Sequence, residues 1–329
     1  MKINKKIMAI ATAMLALLAS CSGSDETVTN VKVTLMLNWT PNAHHAGIYL
    51  AQANGWYEDA GIDLEIIGNS AAGVEVAVAE GVADIGIAQS ESIIPARNQG
   101  IDVKAVATIL PVNDSSLVFL SSEKINSSRD LEGKTYGGYD GALEVELVSK
   151  LVECDGGDPS KVRFVSVGNV DYLAGLDLDR FDFAWVFEGW DVLRAKTIDD
   201  VAVSSLAFDD YQDCIPNWYT PLLLTKTENA DSDMTSKFLE VTARGYKSVA
   251  EDPAKAAEIF LQEVPETDEA LITEAIKYYA PLYNAGDDWG KMDAETWTEF
   301  GEFLAAANQN IPDDSKLWEE AFTNESLPG

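Results

Sequence analysis

The sequence predicts an α/β protein of two lobes with a ligand cleft between them. Three observations carry this. Short β-branched apolar runs alternate with helical stretches that stop at glycines. The alternation breaks at Pro111-Val-Asn-Asp114, and a second, smaller set of strands and helices follows. A late strand near Pro221 falls outside that second set and is free to return to the first. Strands alternating with helices imply a parallel or mixed sheet covered on both faces.

The elements follow in order. Val31 to Leu37 is β-branched with apolar odd positions, a strand signature. Ala46 to Asn54 has helical character and stops at Gly55. Strands are expected at 62–67, 83–88 and 103–110, with helices at 71–80 and from Ser90 or Glu91 to Asn98. After Pro111 come strands at 116–121, 135–138, 163–167 and 183–187, with a helix at 143–153. Pro221 to Thr225 is one more strand. Helices fill the rest, at 236–250, 253–262, 268–279, 293–307 and 315–322. The expected lobes are therefore 31–112 with 212–329, and 113–211, hinged near Pro111 and near 208–216.

The chain of 329 residues carries 55 acidic and 23 basic side chains, a net charge of −32. That balance argues against nucleic acid, whose phosphates need Lys and Arg. No apolar run reaches the 18 or more residues of a spanning helix. Residues 1–20 read as a secretory signal: Lys2, Lys5 and Lys6 precede the apolar stretch Ile7 to Leu18. Leu18-Ala-Ser-Cys21 then resembles a bacterial lipobox. This implies lipidation at Cys21, a polar tether over 21–30, and a protein held outside the cytoplasmic membrane by its acyl chains. Cys154 and Cys214 have no metal spacing. An oxidising compartment permits a disulfide between them, and two buried free thiols are the simpler expectation.

Catalytic signatures are missing. There is no G-x-S-x-G, H-E-x-x-H or phosphate-binding G-x-x-x-x-G-K-[ST]. The only histidines, His44 and His45, are adjacent and would point about 100° apart on a helix, a poor metal pair. Binding therefore outranks catalysis, and neither cofactor nor metal is expected.

Several segments look like a site. Asn38-Trp39-Thr-Pro-Asn42-Ala-His44-His45-Ala-Gly47 directly follows the first strand, where ligands of open α/β sheets bind. Asn38 and Asn42 offer amide hydrogen bonds, Trp39 a stacking face, and His44 a donor or acceptor. A capped helix start with a buried Trp is the structural alternative. Gly47 would let the helix approach the sheet. Gln89, Ser90 and Glu91 follow a strand end, where Ser90 would cap the helix or bond a ligand. The turn Tyr136-Gly-Gly-Tyr139-Asp-Gly141 precedes a helix start, and no Arg or Lys cluster accompanies it, which disfavours a phosphorylated ligand. Trp185-Val-Phe187-Glu188-Gly-Trp190-Asp191 sets three aromatics and two carboxylates in seven residues. Its rings could sandwich a flat heterocycle while Glu188 or Asp191 bonds an amino group. Tyr219 and Trp218 are further aromatic candidates.

The run L-N-W-T-P-N-x-x-H-x-G-x-Y over residues 37–49 resembles the opening motif of solute-binding proteins for thiamine pyrimidine precursors, the ThiY-like group. That group shares its fold with the fungal enzymes that make the thiamine pyrimidine. Ala51-Gln-Ala-Asn-Gly-Trp-Tyr57, Asp84 to Arg97, Leu131-Glu-Gly-Lys134, Tyr136-Gly-Gly-Tyr139 and Tyr219-Thr-Pro-Leu-Leu carry the resemblance to about residue 300. It implies a type II periplasmic-binding-protein-like fold. It also implies a monomeric substrate-binding lipoprotein that delivers a small aromatic nitrogen heterocycle to an ABC permease and its ATPase. Formylaminopyrimidine or hydroxymethylpyrimidine is the implied cargo; riboflavin or a sulfonate is the alternative. Asn38 stands where the family often has Asp, and Asp191 and Phe187 stand where it has Glu and Tyr. A pyrimidine synthase is the rival of a different class. Those enzymes use an iron-linked cysteine cluster, which this chain lacks. A surface adhesin is a third class.

Overall fold

The computed structural model describes residues 30–139, 141–168, 170–284, 286, 288–308 and 310–328. The expected signal segment, Cys21 and most of the tether lie outside the described residues. Two five-stranded mixed sheets form the frame. The first joins β1 (Val31–Met36), β2 (Ile62–Ile67), β3 (Ile85–Ala88), β4 (Val103–Thr108) and β10 (Leu222–Lys226) in the order β2-β1-β3-β10-β4. β1 pairs parallel to β2 and β3, and β10 runs antiparallel between β3 and β4. The second joins β5 (Ser115–Leu120), β6 (Thr135–Gly138), β7 (Arg163–Ser166), β8 (Phe183–Phe187) and β9 (Val203–Ala207) in the order β7-β6-β8-β5-β9. Each sheet thus has four strands running one way and one antiparallel strand inserted among them. β5 and β10, the inserted strands, are the ones that follow the two crossings of the chain between sheets.

β1 lies inside the sheet, between β2 and β3, and is buried on both faces. Val33 and Leu35 are fully buried on one face, and Met36 is buried on the other. Both faces are covered by helices: α1 (Ala46–Ala53), α2 (Trp56–Asp59), α3 (Val74–Ala79) and α4 (Ser90–Asn98) from the first run. α5 (Ala142–Cys154) and α6 (Tyr172–Asp177) belong to the second sheet. α7 (Asp233–Glu251), α8 (Pro253–Glu263), α9 (Glu269–Tyr279), α10 (Ala294–Ala307) and α11 (Lys316–Glu319) complete the chain.

Several expectations need correction. Gly47 serves a helix rather than the sheet. α1 crosses α7 so closely that a Cβ on Gly245 would lie 2.1 Å from the Gly47 carbonyl oxygen, and one on Gly47 would meet the Tyr246 ring. Cys154 and Cys214 form a disulfide, with Cα atoms 5.9 Å apart, and neither residue is buried. The expected helix at 315–322 shrinks to the single turn of α11, because Phe322 instead bridges to Ala105 at the sheet edge. α2, α6 and β9 were not anticipated.

The two crossings are tied together. The Asn217 side-chain amide donates to the Pro111 carbonyl at 2.8 Å, and the Asn113 backbone N–H donates to the Asn217 side-chain oxygen at 2.9 Å.

Candidate functional site

A cleft of about 500 Å³ opens between the carboxyl ends of strands from both sheets. From the first sheet's side come Asn38, Trp39, Asn42 and His44 after β1, Gln89 and Glu91 after β3, Thr220 and Pro221 before β10, and Tyr279 at the end of α9. From the second come Tyr139 and Glu144 after β6, Trp185 and Phe187 on β8, and Asp171, Tyr172, Trp190, Asp191 and Arg194 beyond them.

The loop after β1 is locked from beneath. Asn42 caps the turn Ala43–His45, its side-chain oxygen accepting from the His44 N–H at 2.9 Å. The buried hydroxyls of Tyr283 and Tyr246 donate to the Ala43 and His44 carbonyls at 2.7 and 2.6 Å. This fixes His44 in the cleft wall. Its ring meets Tyr279 edge-on at 4.4 Å between centroids, and Phe187 at 6.1 Å. Burial lowers its pKa to about 3, so the imidazole is neutral at ordinary pH, and Nε2 is buried with no partner. His45 turns away from the cleft and is fully buried.

Two aromatic rings stand open. Trp39 is 47% exposed and Tyr139 57%, one beyond each sheet. Phe187 and Trp190 are half-buried. Trp185 presents only part of its ring, since Phe208 and Trp218 pack on it at 5.7 and 5.9 Å.

Acidic groups outnumber basic ones in the cleft: Glu91, Glu144, Asp171 and Asp191 line it with the single Arg194. Arg194 is committed to Asp171 at 2.6 Å and Asp199 at 3.1 Å. Burial pushes Glu91 up to about 8, leaving most of it protonated at neutral pH and able to donate. Burial also raises Asp191, whose carboxylate accepts from the Phe187 N–H at 3.2 Å. Glu144 fills the helix start that follows the Tyr136–Gly141 turn. The N–H groups of Tyr139 and Gly141 donate to it at 3.0 and 2.9 Å, and the Tyr136 hydroxyl at 2.9 Å. Those donors are therefore occupied by the chain's own carboxylate.

Four sequence candidates, Ser90, Glu188, Trp218 and Tyr219, stand outside the cleft lining. The Ser90 hydroxyl donates to the Tyr219 carbonyl at 2.9 Å and accepts from the Tyr219 N–H at 3.1 Å, stitching α4 to the approach to β10. Tyr219 is buried, its hydroxyl accepting from the Asp293 N–H at 2.7 Å. The Glu188 backbone N–H donates to the Asp114 carbonyl at 3.0 Å, continuing the pairing of β8 with β5. Glu144, Asp171, Tyr172, Arg194, Thr220, Pro221 and Tyr279 line the cleft without having been singled out. Thr220 and Pro221 lay within a quoted motif. Arg194 sits between two wide-turned π-helical segments, Glu188–Val192 and Ala195–Asp199, which have no sequence signature. Such segments gather at functional sites.

A family profile described as "NMT1/THI5 like" matches residues 42–256, more than half of the chain and most of both cleft walls. The chain belongs to the NMT1/THI5-like family. Within it, the chain is 27% identical to a formylaminopyrimidine-binding protein of Halalkalibacterium halodurans, over 92% of this chain and 93% of that one. It is 26% identical to a 4-amino-5-hydroxymethyl-2-methylpyrimidine phosphate synthase of Legionella pneumophila, over 90% and 92% of the two chains. The NMT1/THI5-like chain also superposes on the periplasmic aliphatic sulphonate binding protein SsuA of Escherichia coli. The TM-score is 0.66 at 12% identity, covering 91% of this chain and 94% of that one. That likeness fixes the fold as that of the periplasmic binding proteins.

Proposed function

We propose that the protein is the substrate-binding lipoprotein of an ABC importer. It is exported, held at the outer face of the membrane through Cys21, and closes its two lobes over a small aromatic nitrogen heterocycle. A thiamine pyrimidine precursor, formylaminopyrimidine or hydroxymethylpyrimidine, is the cargo. The lobes are 31–112 with 212–329, and 113–211; the bound heterocycle passes from them to the permease.

One observation carries this reading: Trp39 and Tyr139 stand open on opposite walls of a cleft that is otherwise rich in acceptors. Two exposed rings facing one space are a poor surface and a good sandwich for a flat ligand. Three carboxylates, Glu144, Asp171 and Asp191, against a committed arginine favour an amino-bearing or cationic ring over a phosphate or sulfonate. The relative that binds formylaminopyrimidine supports the cargo. The reading is of a binder rather than a synthase. No cysteine lines the cleft among the described residues, and the two described cysteines are bonded to each other.

A thermal-shift panel tests it. The protein is stripped of ligand by unfolding and refolding, then offered aminopyrimidine precursors, thiamine, riboflavin, purines and sulfonates. Ligand at 100 times its Kd stabilises by about 2.7 kcal/mol. An aminopyrimidine that shifts melting and is recovered unchanged supports the reading. A shift by riboflavin or a sulfonate alone replaces the cargo, and conversion of the pyrimidine replaces the binder with an enzyme.

A further inference from the structure

The loop after β1 holds a second histidine that is fully buried and does not line the cleft: His45. The Asn42 backbone N–H donates to its Nδ1 at 3.2 Å. A backbone N–H can only donate, so Nδ1 must carry a lone pair. The ring proton of the neutral imidazole then sits on Nε2. Nε2 lies 3.1 Å from the side-chain oxygen of Asn38. The reversed amide would set two N–H donors against each other there. Burial lowers the pKa of His45 to about 3, so the ring stays neutral and keeps this one tautomer. Tyr246 and Tyr283 clamp the two preceding carbonyls, so the ring cannot swing away.

We propose that His45 is a positioning residue. By binding the amide oxygen of Asn38 it turns that amide's N–H₂ into the cleft, so this wall reads a hydrogen-bond acceptor on the ligand. The ligand class follows: a flat ring that presents an unprotonated ring nitrogen or a carbonyl to Asn38. A carboxylate at position 38 would accept the same hydrogen bond from His45 and show the ligand an acceptor instead. The choice of Asn over Asp thus inverts the polarity of this wall. The inference rests on reading the cleft as a heterocycle site and deepens it.

The test has two arms. The chain holds just two histidines, so ring ¹⁵N spectra of the ligand-free protein resolve both, and His44→Phe assigns them. His45 is expected as the Nε2–H tautomer, unchanged between pH 5 and pH 8. An Nδ1–H tautomer, or titration within that range, overturns the proposal whatever the chain binds.

The second arm compares an aminopyrimidine with the matching aminopyridine, in which C–H replaces the ring nitrogen beside the amino group. Wild type should prefer the pyrimidine about tenfold, the worth of one hydrogen bond in a dry site. His45→Gln, whose amide N–H₂ replaces Nε2–H, should keep that preference. His45→Phe and Asn38→Asp should lose it, with melting curves reporting that each variant folds. Equal binding of the two probes by wild type, or an undiminished preference in folded His45→Phe, overturns the proposal. If neither probe binds wild type, the heterocycle reading fails and the tautomer arm alone decides the amide's orientation.

Discussion

Replacing Trp39 with Ala separates a ligand-facing ring from a core ring. A Trp side chain buries up to about 250 Å², and Trp39 is 47% exposed, so roughly 100 Å² is left for a ligand to cover. At about 25 cal/mol per Å² that is roughly 2.5 kcal/mol. Stacking geometry adds about 1 kcal/mol. Coverage of half the ring still leaves about 1.5–2 kcal/mol, or more than tenfold in affinity. The fold should lose much less than it does at a core ring, because about half of the removed surface already faced water. Trp218, 1% exposed and stacked on Phe300 at 5.0 Å, is the control. Its truncation should cost about 3–5 kcal/mol of stability. Calorimetric titration of the best ligand from the panel, beside melting curves, reads both. Trp39→Ala that binds within twofold of wild type, or that melts as early as Trp218→Ala, would refute the reasoning.

Other perturbations have signs set by the structure. Glu91 titrates near 8 when folded against an ordinary value of 4.5. Between those values the unfolded chain has lost a proton that the fold keeps, so stability falls as pH rises. Glu91→Gln should therefore raise the melting temperature relative to wild type at pH 8 and change it little at pH 4; the reverse order in paired pH melts would count against a buried acid. Gly245→Ala drives a methyl into the Gly47 carbonyl and should destabilise by about 2 kcal/mol or more, read by denaturant midpoint. Reducing Cys154–Cys214, separated by 60 residues, should cost about 4 kcal/mol by the chain-entropy estimate, seen as earlier melting with dithiothreitol. Ser90→Ala removes a buried hydroxyl that both donates and accepts; a loss of about 1–3 kcal/mol with ligand affinity unchanged is expected.

Strand alternation made much of the fold legible. β1, β2 and β8 announce themselves through β-branched and aromatic runs, and α7 through its long amphipathic face. β9 is silent because Val203-Ser-Ser-Leu-Ala207 has too few apolar residues, as an edge strand can. The lining of the cleft was legible where it follows strand ends, at Asn38, Gln89, Glu91 and Tyr139. It was illegible where only packing decides which way a side chain turns. Ser90 and Tyr219 face each other, and Tyr279 enters from a helix whose spacing says nothing about β1. The second histidine shows the same limit. In the sequence the ligand role fell to His44 and none to His45; a 3.1 Å contact with Asn38 ties His45 to the loop instead.

Titration of formylaminopyrimidine into the stripped protein, with the bound fraction then released and identified by mass spectrometry, tests the central claim most directly. The account predicts saturable one-to-one binding and recovery of the unchanged pyrimidine. No binding, or recovery of a converted product, would contradict it.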